Sequence, residues 1–339
     1  MSVTVSTDVD VVPFEDRFAE RAAALLAAAH APLGEASPGT DLADPAVALA
    51  HLNARDADGP AVVALDGAGA VAGFMAASVT GFPGSPQARV RVQQHAAAPE
   101  GARAIYRRLY REISGRLTGI GCFEHTVAVS AAHREIITCL VELGFGIDQI
   151  KGVRPLTPPR GSAGQTPLRP ARTEDLPQLL DLTLELQRFH ALAPMLRPAL
   201  IDLRAIRDDL LAAVGDERRL VLLAGTEGRV EGFVVVDPDS RFPGVATIGI
   251  AVVTASARGR GVGTALLSGV VDWAVRCGFR GCGTEWTSAN LVSDAFWRGH
   301  GFVPARYTLA RRIDPRVAWA DSHLSYRDLC PEVGRDSAG

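Results

Sequence analysis

Between residues 262 and 277 the apolar side chains fall at Val262, Ala265, Leu266, Val270, Trp273 and Ala274, a helical spacing that stops at Gly278. Upstream, 220–225 and 230–237 read as two strands of a hairpin turning at Glu227-Gly228, and 246–253 reads as a third strand. Downstream, 282–287 reads as a strand, 290–298 as a helix that ends near Gly301, and 302–311 as a last strand. The predicted order is mixed α/β.

The same pattern occurs earlier in the chain. Val71-Ala72-Gly73-Phe74 returns as Val230-Glu231-Gly232-Phe233, and Phe82-Pro83-Gly84 as Phe242-Pro243-Gly244, at offsets of 159 and 160. Leu143-Gly144-Phe145 answers to His300-Gly301-Phe302, and Val153-Arg154 to Ala310-Arg311, both at 157. Four matches in one order with so little drift point to a duplication. A stretch rich in Pro, Gly and small polar residues, 157–167, separates the halves as a linker. With 339 residues, the chain exceeds what one core normally supports. The expected domains are therefore 1–156 and 168–314, followed by a C-terminal tail, 315–339.

Composition narrows the function classes. Apolar residues at 47% and charged residues at 22% suit soluble globular domains. A net charge of −3 supplies no global field for nucleic acid or an anionic membrane, so neither is expected as a partner. The start of the chain carries Asp8 and Asp10 in place of a basic, then apolar, leader, and no apolar run is long enough to span a bilayer. A cytoplasmic protein is expected. Cys122, Cys139, Cys277, Cys282 and Cys330 form no C-x-x-C pair, which predicts buried, reduced thiols. His95, His125 and His133 lack ligand spacing, so no metal is expected. Lys151 is the only lysine in a chain otherwise served by arginine.

Chemistry concentrates where the third strand meets the long helix, at Arg258-Gly259-Arg260-Gly261-Val262-Gly263-Thr264. The first turn of a helix has unpaired N–H groups, and its dipole favours anions, so a glycine loop entering a helix can cradle a diphosphate. Arg258 and Arg260 would add charge-assisted hydrogen bonds. A dinucleotide fingerprint would need Gly at Thr264, and a P-loop would need a Lys that is missing.

Arg258, Gly261 and Gly263 match the R/Q-x-x-G-x-G/A signature of the GNAT superfamily of acyl-CoA-dependent N-acyltransferases, which this half resembles. The stretch 168–176 is similar to that family's opening strand-to-helix turn, and 290–302 to its N-x-x-A-x-x-F-Y-x-x-x-G-F segment. The resemblance implies two tandem GNAT-like domains, each with a mixed, mostly antiparallel central sheet flanked by helices. It further implies acetyl-CoA or another acyl-CoA as donor, with its diphosphate on Gly259, Arg260, Gly261, Val262, Gly263 and Thr264, and its pantetheine arm beside Ala251, Val252, Val253 and Asn290. A neutral amine would attack the thioester directly.

That attack requires a base, and Glu285 qualifies by its place near a strand end, where a merely solvated carboxylate is the alternative. The family often has Tyr after the Phe at position 296, as the acid for the departing thiolate, whereas this chain has Trp297. Ser293, His300, water or an unassisted thiolate are the alternatives. Asn290 serves equally as a helix cap.

In the first half, an offset of 159 puts Pro99, Ala102 and Ala104 at the signature positions, with Glu100 beside them. That half therefore resembles a degenerate GNAT domain. The expected activity is transfer of an acetyl group to the primary amine of a small molecule. A non-catalytic acyl-CoA sensor and an enzyme similar to mycothiol synthase are the alternatives.

Overall fold

Alternation and helical periodicity build elements close to their expected positions. A computed structural model describes residues 9–36, 41–56, 59–82, 85–157, 166–197, 202–226, 228–240 and 242–319. Most of the linker, most of the tail, Glu227 and Cys330 lie outside them. No helix among the described residues is long and apolar enough to cross a membrane.

In chain order the first half runs β1 (Asp10–Pro13), α1 (Ala19–His30), α2 (Pro45–Asn53), β2 (Ala61–Leu65), β3 (Val71–Ala76), β4 (Ser78–Phe82), β5 (Ser85–Val90), β6 (His95–Ala97), α3 (Ala102–Gly119), β7 (Glu124–Ser130), α4 (Arg134–Glu142) and β8 (Gly146–Pro155). The second half runs β9 (Leu168–Pro170), α5 (Leu176–His190), α6 (Leu203–Gly215), β10 (Leu220–Thr226), β11 (Arg229–Pro238), β12 (Val245–Val253), α7 (Val262–Arg276), β13 (Gly281–Thr287), α8 (Leu291–Gly299) and β14 (Val303–Arg312).

The chain forms two compact units whose membership is interleaved. Of the described residues, one takes 9–34, Asp41–Ile147 and 308–319, and the other is principally Asp148–Tyr307. The division thus departs from the linear halves at two strands. Most of β8 precedes the linker yet belongs to the second unit, where it pairs antiparallel with β13 from Gly281↔Pro155 to Thr287↔Gln149. The end of β14 belongs to the first unit, where the Ile313 N–H donates to the Phe123 carbonyl at 2.7 Å.

Within the first unit, β1, β2, β3 and β6 form an antiparallel sheet covered by α1 and α2 through Phe18, Leu26, Leu52, Val63 and Phe74. Helix α3 buries a stripe of Ile105, Tyr106, Leu109, Tyr110, Ile113 and Leu117. Strand β5 pairs parallel with β7 as far as Val90↔Val127. Beyond that pair the His95 side chain bridges β6 to β7. The Ala128 carbonyl can only accept, so His95 Nε2 carries the hydrogen at 2.9 Å, and Nδ1 accepts from the Tyr106 hydroxyl at 2.6 Å. One turn along α3, the Tyr110 hydroxyl meets His125 Nδ1 at 3.0 Å, and His125 Nε2 donates to the Cys122 carbonyl at 3.1 Å.

Burial pushes His95 down to about 4, and burial also lowers His30, His125 and His133. An imidazole whose folded pKa lies below its unfolded value takes up fewer protons folded than unfolded. Its stabilising effect is therefore full above the unfolded value and is lost as pH falls toward the folded one. Acidification from the ordinary imidazole range to about 4 should cost on the order of 3 kcal/mol through His95 alone. Chemical denaturation at pH 7 and pH 4.5 tests this, and a His95→Gln chain should show a shallower loss.

The second unit has the strand order β8-β13-β12-β11-β10-β9, antiparallel except where β12 runs parallel to β13. Helices α7 and α8 cover one face through Val262, Leu266, Val270 and Trp297, packed on Ile248, Cys282 and Trp286. Helices α5 and α6 cover the other through Leu179, Leu182 and Leu210, packed on Phe233, Val235 and Val252. The repeats seen in sequence recur as geometry. Gly144 and Gly301 both take left-handed φ, +88° and +85°, and close α4 and α8. In each case the next phenylalanine N–H reaches back to Leu140 or Trp297, at 3.1 and 3.0 Å.

Three thiols, Cys122, Cys139 and Cys282, are buried as expected, whereas Cys277 is exposed because it follows the last residue of α7.

Candidate active site

The site begins with a break in the sheet. Strands β12 and β13 pair only from Val245↔Gly281 to Ile248↔Thr284. A bulge on β12 leaves Gly249 between the pairs Val235↔Ile250 and Val236↔Ile248, and from there Ala251, Val252 and Val253 pair with β11 alone. The gap opens as a cleft of about 430 Å³ that runs to the start of α7. Its walls include Ala251, Val252, Val253, Arg258, Gly259, Gly261, Val262, Gly263, Thr264, Asn290 and Ser293, residues separated by up to forty-two positions in the chain.

The helix start is built for close approach. Gly259 and Gly261 have φ of +74° and +83°, a region costly for side chains with Cβ, and Gly261 is the α7 N-cap with no side-chain capping bond. The first-turn N–H groups thus have no side-chain acceptor at the cap. Space beside Gly259 is open, whereas a Cβ on Gly263 would lie 3.1 Å from the Phe296 ring. Gly263 therefore also permits Phe296 to pack against the helix.

Arg258 lies over the Phe189 ring at 4.4 Å, and its Nε donates to the Val253 carbonyl at 3.3 Å, which holds the guanidinium at the cleft wall. Arg260 does not line the cleft, because it turns to Glu231 at 3.2 Å. Asn290 is buried and caps α8 by accepting from the Ser293 N–H at 3.0 Å. Trp297 is buried on the cleft wall and edge-on to Phe302, so the indole is core as well as lining.

His300 stands behind the loop, its Nε2 3.4 Å from the Thr264 hydroxyl, and burial lowers its pKa, which keeps the ring neutral at pH 7. Glu285 is outside the cleft. Its neighbours Cys282 and Trp286 pack toward α7, so strand alternation sends Glu285 to the opposite face, where Oε2 accepts from Arg306 at 2.7 Å.

Sequence reasoning missed Glu185, Leu186 and Phe189 of α5, which complete the cleft. Their shared helical face was visible, but nothing in linear sequence ties it to a loop seventy residues away. Glu185 accepts from the Ala255 N–H at 3.3 Å, which braces the strand-to-helix loop.

The first unit has the same junction in shortened form. Both α3 and α7 follow a left-handed glycine N-cap, Gly101 at +79° and Gly261 at +83°, which sets the register at 160 rather than 159. The glycine is thus kept, and Arg103, paired with Glu142 at 2.6 Å, occupies the position of Gly263. Only residues 98–100 separate β6 from Gly101, against 254–260 between β12 and Gly261. The space corresponding to the cleft is where His95 reaches β7.

A family model described as the acetyltransferase (GNAT) family matches residues 185–302. Among solved structures, the chain is similar to a GCN5-related N-acetyltransferase from Sphaerobacter thermophilus, at 17% identity and a TM-score of 0.60, over 90% of this chain and 95% of that one. It is also similar to a tandem GNAT protein from the clavulanic acid biosynthesis pathway, at 18% identity and a TM-score of 0.54, over 90% and 98%. None of the curated proteins matches.

Proposed function

We propose that this chain is a tandem member of the acetyltransferase (GNAT) family, whose model matches residues 185–302 and whose fold it shares, and that its second half transfers an acetyl group from acetyl-CoA to the primary amine of a small molecule. The observation that carries this reading is the parting of β12 from β13 beside a glycine-rich helix start. The open space at Gly259 and the uncapped first turn of α7 fit a diphosphate. Bound there, the coenzyme supplies an activated thioester carbon and a thiolate leaving group.

The N–H groups of Val262, Gly263 and Thr264 hold the diphosphate, and Arg258 closes over it from Phe189. The edge of Ala251, Val252 and Val253 that faces away from β11 orients the pantetheine arm, with Asn290 across the cleft. Backbone N–H groups of that edge polarise the thioester carbonyl. Glu285, on the opposite face just past the last β12–β13 pair, accepts the amine proton directly or through water. The N–C bond forms as the C–S bond breaks, and Ser293, on the cleft wall, relays a solvent proton to the sulfur. His300 positions the Thr264 hydroxyl. The first half takes no acyl-CoA, because its loop is short and His95 occupies the gap.

Glu285→Gln should lower kcat for amine-dependent thiol release roughly a hundredfold, the low end of the range for a lost general base, while CoA affinity is kept. Free thiol measured against pH in both proteins tests the assignment. An unchanged pH–rate profile would remove Glu285 from the mechanism, and CoA binding without thiol release from any amine would favour the sensor.

A further inference from the structure

On the face of the sheet opposite α7, beside the point where β12 and β13 part, lies a second cavity of about 230 Å³ lined by Lys151, Asp237, Asp239, Thr247, Glu285 and Arg306, among others. Thr247 immediately precedes Ile248, which lines the cleft, and Glu285 immediately follows Thr284, the last residue paired with β12. The cavity and the cleft therefore meet the same break in the sheet from its two faces.

One side of the cavity is internally satisfied. Asp239 accepts from Lys151 Nζ at 2.6 Å and from the Phe242 N–H at 3.0 Å, and Lys151 also donates to the Thr247 hydroxyl at 2.8 Å. The chain's only lysine, 5% exposed, is thus a fixed cation in the wall. Asp237 is taken by Arg219.

The other side is not satisfied. Arg306 is 8% exposed, and although one of its terminal nitrogens donates to Glu285, its Nε is buried without a hydrogen-bond partner. A buried guanidinium N–H without an acceptor is costly, so this position calls for an anionic or strongly accepting ligand atom. Glu285 receives Arg306 on Oε2 only, which leaves Oε1 to accept from an ammonium or amine.

We infer that this cavity is the acceptor site, and that the acceptor is a small amphoteric metabolite whose acid group is held by Arg306 beside Lys151 and whose amine is held by Glu285 at the break in the sheet. The inference rests on the reading of the second half as an amine acetyltransferase. The volume is below the roughly 300–1,000 Å³ of sites for drug-sized ligands, which sets the scale at that of a free amino acid. The arrangement directs the amine toward the gap that receives the thioester.

The test uses the full chain with acetyl-CoA and a panel of free α-amino acids, each against the decarboxylated amine of the same carbon skeleton, with release of free thiol as the readout. For the preferred skeleton, kcat/KM should favour the acid-bearing member by roughly tenfold or more, the worth of one hydrogen bond to a charged group. Arg306→Gln should bring that ratio close to one, and Arg306→Lys should retain part of it. Circular dichroism melting of both variants checks that they fold. A wild-type ratio near one, or a ratio that survives in well-folded Arg306→Gln, overturns the inference and leaves acetyl transfer standing. Thiol release with neither class of amine, with CoA still bound, overturns the acetyl-transfer reading and this inference with it.

Discussion

Residues 168–339 expressed alone should fail to form a cooperative fold, whereas residues 146–339 should regain a melting transition. The shorter piece lacks β8, so β13 becomes an unpaired edge along its whole length from Gly281 to Thr287. Such an edge carries Cys282 and Trp286, which belong to the buried core against α7. The cut also removes Lys151 and strands Asp239, whose side chain is 8% exposed. Breaking a buried ion pair on one side costs about 3–5 kcal/mol, a large share of the roughly 5–15 kcal/mol that holds a typical domain together. Far-UV circular dichroism during heating distinguishes the fragments. A sharp transition in 168–339 at the temperature of the full chain would mean that β8 is dispensable, contrary to the strand order described above.

This dependence also marks what linear sequence could and could not reveal. The second-half elements were legible because each is written in local periodicity: the helix predicted at 262–277 is Val262–Arg276, and the strand predicted at 282–287 is Gly281–Thr287. The duplication was legible because the glycines closing α4 and α8 must take left-handed φ in both copies. Membership of the compact units was not, since the choice of β8 as the partner of β13 depends on a pairing across more than a hundred residues. The glycine loop was read in place, but the direction of Arg260 depends on Glu231 on a neighbouring strand. Alternation along β13 could have placed Glu285 on the face away from α7, because Cys282 and Trp286 are so evidently core. Aligning the halves on short identities gave 159, while the left-handed N-caps give 160, and it is backbone conformation that identifies Gly101 as the counterpart of Gly261.

Asymmetry between the two helix starts is the central claim, and calorimetric titration of CoA into Gly263→Glu and Arg103→Glu chains tests it most directly. Gly263 lies in the first turn of α7 on the cleft wall, so a carboxylate there opposes the helix dipole's attraction for a diphosphate. At a separation of about 5 Å and an effective dielectric of about 20, one like-charge pair costs on the order of 3 kcal/mol, roughly a hundredfold or more in Kd. Because any Cβ at this position crowds Phe296 at 3.1 Å, Gly263→Ala separates the steric part, which should weaken binding far less. Arg103 is the structural counterpart on α3, exposed and paired with Glu142, behind a loop too short to form the cradle. Arg103→Glu should therefore leave CoA affinity within about twofold of the parent. With native-like melting established for all three variants, the predicted result is binding lost in Gly263→Glu and kept in Arg103→Glu. Binding kept in Gly263→Glu and lost in Arg103→Glu would place the coenzyme in the first half and contradict the account.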